Sequence, residues 1–249
     1  MNETIELIRE RKSVRSYTDR EISPREKSLI LEAAVQAPTA GNMTLYTILD
    51  ITDQTIKDTL AETCDHQPFI ATAKMVLIFC ADYRRWLDVF RKHTPSARTP
   101  AHGDLLLAQA DALIAAQNAV MAAESLGIGS CYIGDITEQF ELHRDLLKLP
   151  QYVVPTCMLC FGYPTEQQKA RPKPIRFAVE DIVHENGYDP EKSARMEDML
   201  AQRSGLTGGE LAEWIRRFCA RKWDSDFSVE MSRSCQAIID SWCGEEEQT

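Results

Sequence analysis

Four cations and a hydroxyl stand within seven residues near the start of the chain: Arg9, Arg11, Lys12, Ser13 and Arg15, with Ser16 and Tyr17 following. The setting makes the run informative. Against 38 Asp and Glu the chain carries 28 Lys and Arg, a formal net charge of −10. Guanidinium forks, an ammonium and a hydroxyl together suit a phosphate monoester. Taken alone, the run also suits a solvated basic face on a surface helix. A second cluster, Arg171-Pro172-Lys173-Pro174 with Lys169 and Arg176 beside it, shifts the balance. Prolines fix the backbone and hold those cations in place. By itself this segment reads equally as a surface connector, but two stiffened basic clusters in an acidic chain could grip one phosphate from two sides.

Two glycine-bearing turns could bring backbone close to a ligand. In Pro38-Thr39-Ala40-Gly41-Asn42 the residues are small, and Asn42 offers both a donor and an acceptor. The turn from Gly127 to Asp135 contains Gly127, Gly129 and Gly134. It does not match the dinucleotide fingerprint and follows a helical pattern instead of opening one. No metalloprotease, nucleophile-elbow or phosphate-loop motif is present, and the five histidines show no zinc-ligand spacing. An enzyme built this way takes its reactivity from a cofactor.

The excess of negative charge argues against a nucleic-acid surface or an anionic membrane as partner. The acidic start Met1-Asn2-Glu3 has no apolar segment of the kind a signal peptide needs, and the cytoplasm is the expected compartment. Leu105–Leu126, interrupted by Gln109, Asp111, Gln117, Asn118 and Glu124, reads as too polar for a transmembrane span. Eight scattered cysteines suggest buried thiols in place of a disulfide framework. Cys157 and Cys160 form a CxxC, but they lie in a strand-like run, where residues three apart face opposite sides. Two core thiols are therefore expected, with a redox pair as the alternative.

These groups need elements to position them. Helical patterns cover 3–11, 23–37, 54–63, 83–92, 103–126 and 137–148. Strand-like runs cover 45–51, 74–81, 129–133 and 153–162. Ser23, Pro24 and Glu26 make a capping box. The pattern over 103–126, about 35 Å long, is apolar nearly all round and belongs in the domain centre or at a subunit interface. Residues 164–176 look too proline-rich for helix or central strand, and 190–241 return to amphipathic helices with a break at Ser204–Gly209. Without a regular strand–helix–strand beat the class is α+β. The expected organisation is a single domain over 1–249, with its core in 1–162 and a basic connector and helical extension over 163–249.

In order along the chain, several pieces together resemble the FMN-dependent nitroreductase family, in its branch of NADPH-linked oxygen-insensitive nitroreductases and flavin reductases. They are Arg11–Tyr17, Ala37–Asn42, Ala122–Gly127, Tyr132-Ile133-Gly134, Arg171-Pro172-Lys173 and Val183-His184-Glu185-Asn186. The resemblance implies a central, mostly antiparallel sheet flanked by helices and an intertwined homodimer with FMN at the subunit interface. It implies that Arg11, Lys12, Ser13 and Arg15 hold the FMN phosphate and ribityl chain, and that Arg171 and Lys173 form a second phosphate clamp. It further implies that Thr39, Asn42, Gln67 and the loop Tyr132, Ile133, Gly134 and Asp135 face the flavin. NADPH or NADH is the implied reductant. A flavin, quinone or nitroaromatic is the implied acceptor, in a ping-pong reaction with FMN as relay; the alternative is a flavin-binding storage or sensory protein. This chain has Thr44-Leu45-Tyr46 where many relatives have Gln-Pro-Trp, and Arg-Pro-Lys where the clamp more often reads Lys-Pro-Arg. In the C-terminal region, Arg203 is the candidate for the NADPH phosphate.

Overall fold

The computed structural model describes residues 2–244 and divides into two compact units. The first contains the residues up to Arg171 together with those from Glu230 onward; the second is Pro172–Val229.

The first unit is built on one four-stranded sheet of β1 (Tyr46–Asp50), β2 (Met75–Asp82), β3 (Gly129–Ile133) and β4 (Val153–Gly162). Its spatial order is β1-β2-β4-β3, and each of the three pairings is antiparallel. All eight residues of β2 are buried, as a central strand covered on both faces requires. The helices around it are α1 (Glu3–Glu10), α2 (Pro24–Val35), α3 (Gln54–Thr63), α4 (Phe69–Thr72), α5 (Arg84–His93), α6 (His102–Ser125), α7 (Phe140–Leu147) and α8 (Glu166–Ala170). On one face Leu77, Phe79, Leu159 and Phe161 pack with the α6 alanines 112, 115, 116, 119 and 123. On the other, Val76, Ile78, Met158 and Leu60 form a separate core. This is the two-residue alternation of a strand read out in packing. Cys157 falls in the first cluster and Cys160 in the second, so the two thiols are on opposite faces, and burial pushes both pKa values up. No redox pair forms there.

By length and mean hydropathy (1.4), α6 reaches what a membrane crossing needs, contrary to the expectation that it is too polar. Its acids are few, and both Asp104 and Asp111 are buried with eight of its apolar residues inside the fold. The capping box forms as expected: Ser23 N–H donates to Glu26 Oε2 (2.8 Å) and Glu26 N–H donates to Ser23 Oγ (3.3 Å). The short helix α8 was not expected. Pro164 precedes its N-cap Thr165 and Pro172 follows its end, so neither proline interrupts it.

The second unit holds α9 (Val179–Ile182), α10 (Pro190–Ala194), α11 (Met196–Ser204) and α12 (Gly208–Lys222). The expected break appears at Gly205, whose φ of 73° ends α11 in the left-handed region. α13 (Asp226–Cys243) returns to the first unit from Glu230 on. There the Arg233 guanidinium forks onto both Glu141 oxygens (2.8 and 2.9 Å). Trp242 is fully buried with Leu45, Ala81, Phe140 and Tyr152, and its Nε1–H donates to Ala101 O (3.1 Å).

Candidate cofactor site

Two glycines decide where the basic run lies. Gly129 of β3 and Gly162 of β4 are direct partners in the ladder. A Cβ on Gly129 would meet Val14 Cγ2 at 2.5 Å, and one on Gly162 would meet the Tyr17 ring at 2.6 Å. Their bare backbones let residues 13–17 lie against the end of the sheet. Ser13 bridges Ser130 in parallel, Val14 N–H donates to Ser130 O (2.9 Å), and Tyr17 bridges Pro164. The Tyr17 hydroxyl donates back to Val14 O (2.9 Å).

The two basic clusters meet in the first unit. Lys12 Nζ donates to the carbonyls of Lys169 (2.7 Å) and Arg171 (2.5 Å), at the C-terminal end of α8. Arg171 Nη2 donates to Ser13 O (3.1 Å). Lys12 thus commits two of its three donors to tying the segments together, which makes it a brace more than a free phosphate ligand. Arg11 differs: its Nε and Nη2 are buried with no hydrogen-bond partner, and the guanidinium lies 5.8 Å from the Tyr132 ring centroid. A buried guanidinium edge without an acceptor calls for an anion. Arg15 is exposed; its N–H donates to Gln168 Oε1 (3.3 Å), and its side chain borders a cavity of about 710 Å³ together with Tyr17, Lys57, Phe69 and Lys74.

The remaining predicted residues are placed unequally. Thr39 turns its hydroxyl inward to Asp111 and is held there, whereas Asn42 sits exposed at the tip of the loop with φ 57°. Gln67 is half-buried and donates to Cys64 O (2.8 Å) in the turn between α3 and α4. Tyr132 donates to Gln117 Oε1 (3.2 Å), Ile133 is buried, and Asp135 opens a 3-10 turn over 135–137. Gly134 is exposed at φ −77°, and an added Cβ there would meet nothing within 4 Å. Neither strain nor packing within the chain explains that glycine, which has open space in front of it. Lys173 and Arg203 belong to the second unit; the Arg203 guanidinium stacks over the Phe177 ring at 4.1 Å.

Sequence reasoning missed two groups. Asp111 reads in sequence only as a polar interruption of α6, yet it is buried and gathers the Thr39 loop. Glu138, three residues past Asp135, is buried with Oε1 lacking a partner. Burial, then Asp135, Asp65 and Glu230, raise its pKa to about 7. His143 nearby is buried and lies 2.9 Å from Ile136 O and 2.8 Å from Thr63 Oγ1, and burial lowers its pKa. No local spacing announces either acid.

The arrangement can hold a phosphate ester at Arg11, Ser13 and Arg171 and present backbone to an extended ring. Comparison with known proteins points the same way. The profile described as "Nitroreductase family" matches residues 8–163. An oxygen-insensitive NADPH nitroreductase of Salmonella typhimurium is 36% identical over 205 residues, covering 81% of this chain and 82% of that protein. An FMN reductase (NADPH) of Bacillus subtilis is 31% identical over 191 residues, with 76% of each chain covered. The solved structure of B. megaterium NfrA2 superposes with a TM-score of 0.81 at 28% identity, covering 100% of both chains.

Proposed function

Since the chain belongs to the nitroreductase family, we propose that it is an NAD(P)H-dependent nitro/flavin reductase with FMN as its bound cofactor. FMN supplies the hydride relay between the nicotinamide nucleotide and a small acceptor. The observation that carries this reading is the buried, unpartnered edge of Arg11 beside the Ser13–Arg171 tie. Arg11, Ser13, Arg15 and Arg171 hold the phosphate. Lys12 braces the two segments. Gly134 and Asn42 leave backbone and amide accessible to the ring system, and Gln67 is proposed as a further ligand.

Finer parts of the proposal follow from what the chain lacks. With no separate nucleotide-binding fingerprint in the sequence, NAD(P)H and the acceptor are proposed to use one site in turn, with ping-pong kinetics. Flavins, quinones and nitroaromatics are the acceptor classes. The cytoplasm is the proposed location. A homodimer is proposed through α6, where Leu106, Leu107, Leu113 and Ile114 are exposed. Residues 1–249 are proposed to act as one functional domain.

The test is the absorbance spectrum of the purified protein, followed by steady-state NADPH and NADH oxidation with an added quinone. A flavin spectrum with parallel double-reciprocal plots is expected. Arg15→Ala should yield folded but largely FMN-free protein. Intersecting plots would refute the shared site, and bound flavin without turnover would favour a storage or sensory role.

A further inference from the structure

The loop from Thr39 to Leu45 is held in a conformation that its own sequence does not favour. Gly41, Asn42 and Thr44 have φ of 56°, 57° and 52°. Glycine and asparagine visit this left-handed region readily, but a β-branched threonine there is strained. Such strain persists only where the surroundings over-determine it. Here the surroundings are specific. Asp111, buried in α6, accepts hydrogen bonds from the Thr39 hydroxyl, from Ala40 N–H (3.1 Å) and from Leu45 N–H (3.2 Å). The Thr39 Oγ1 in turn accepts from Thr44 N–H (2.7 Å), the strained residue itself. From the other side α5 binds the loop carbonyls: Trp86 Nε1–H donates to Met43 O (2.6 Å) and Arg85 Nη2 to Thr44 O (3.0 Å). Asp111 therefore fixes the amide side of the loop and α5 the carbonyl side, while Gly41 and Asn42 stay exposed at the tip.

We propose that Asp111 is a positioning residue for FMN: through Thr39 it preorganises the loop that presents Asn42 to the cofactor. The inference rests on the FMN reading given above. It also reassigns Thr39, whose hydroxyl is the link in this relay and not a cofactor ligand.

Asp111→Asn replaces one accepting oxygen by an amide that donates, so either Ala40 N–H, held by Oδ1, or Leu45 N–H and the Thr39 hydroxyl together, held by Oδ2, lose their acceptor. An unmatched buried donor favours local opening by about tenfold or more. The experiment measures amide hydrogen exchange across residues 39–46 in the apo protein, and the FMN dissociation constant by flavin fluorescence titration. Asp111→Asn should exchange at least about tenfold faster at Ala40 and Leu45, and bind FMN about tenfold more weakly. Thr39→Ser, which keeps the hydroxyl, should match the wild type in both. Thr39→Val should speed exchange and weaken FMN binding, and it carries the same test if Asp111→Asn does not fold. A folded Asp111→Asn or Thr39→Val protein with wild-type loop exchange overturns the proposal, and so does faster exchange with unchanged FMN affinity. A wild-type protein that binds no FMN overturns the cofactor reading and this proposal together, whereas tight wild-type binding with an unaffected variant overturns this proposal alone.

Discussion

Adding a single methyl group at Gly129 should loosen the cofactor site from behind. An alanine Cβ there lies 2.5 Å from Val14 Cγ2, 2.8 Å from its Cβ and 3.1 Å from its Cγ1, so about 1 Å of movement is required. Val14 is only 4% exposed and has nowhere to retreat within the core. Overpacking of this kind costs about 1–3 kcal/mol. The alternative, expelling Val14 into water, forfeits a buried side chain worth about 1.5–3 kcal/mol. Either route destabilises the protein by about 2 kcal/mol, which in a chain of this size lowers the melting temperature by about 4–8 °C. The same displacement shifts Arg11 and Ser13, which precede Val14 in the same segment, and losing one charge-assisted hydrogen bond to phosphate weakens FMN binding about tenfold to a hundredfold. Thermal denaturation of the apo protein and flavin fluorescence titration measure the two effects. A mutant cycle sharpens the test. Val14→Ala removes the atoms at 2.5 and 3.1 Å but leaves the Cβ at 2.8 Å, so it should relieve Gly129→Ala only in part, and Val14→Gly should relieve it further. Purely additive effects, or a Gly129→Ala protein with wild-type stability and FMN affinity, would refute the reasoning.

Three further predictions concern other groups. Glu138 has a folded-state pKa of about 7 against an ordinary carboxylate value of 4.5, so the folded chain binds the extra proton and stability falls as pH rises from about 4.5 to 7. Glu138→Gln, neutral throughout, should remove that slope and be more stable by about 2 kcal/mol at pH 8; melting curves from pH 4 to 9 that keep the wild-type slope would refute this. Arg203→Ala should raise KM for NADPH several-fold and leave NADH nearly unchanged, whereas equal losses with both nucleotides would reject Arg203 as the discriminating residue. Ile114→Asp on the exposed face of α6 should shift the protein from dimer to monomer in sedimentation, and a stable wild-type monomer carrying FMN at micromolar concentration would exclude the interface.

What the sequence reveals here follows how local each signal is. The capping box at Ser23, the apolar runs of β2 and β4, and the Gly205 stop are written in neighbouring residues, and each forms where its pattern lies. The convergence of Arg11–Arg15 with Arg171 was legible because two charge clusters in an acidic chain need a common purpose. The glycine pair was not legible: Gly129 and Gly162 are 33 positions apart and meet only through the β3–β4 register. Asp111 was hidden for the same reason, since the loop it gathers lies some 70 positions earlier in the chain. Lys12 and Thr39 stand out in the sequence, but composition cannot show that the ammonium points to carbonyls and the hydroxyl to a carboxylate. Proline content alone hides the helix α8: both flanking prolines fall outside the helix, where they limit it instead of breaking it.

The docking of α13 has a consequence for how the chain comes into being. The cluster that encloses Trp242 also contains Leu45 and Ala81, residues made long before it. During synthesis the strands of the first unit emerge and can pair, yet the pocket between α5, α6 and α7 stays open until the residues around 242 have left the ribosome. The second unit is made in the interval. Until then the nascent protein exposes Leu87, Leu105, Phe140 and Tyr152 to the cell, the kind of surface that chaperones bind and aggregation exploits. Completion of this cluster thus waits on the segment that carries Trp242, the last part of the core to be made.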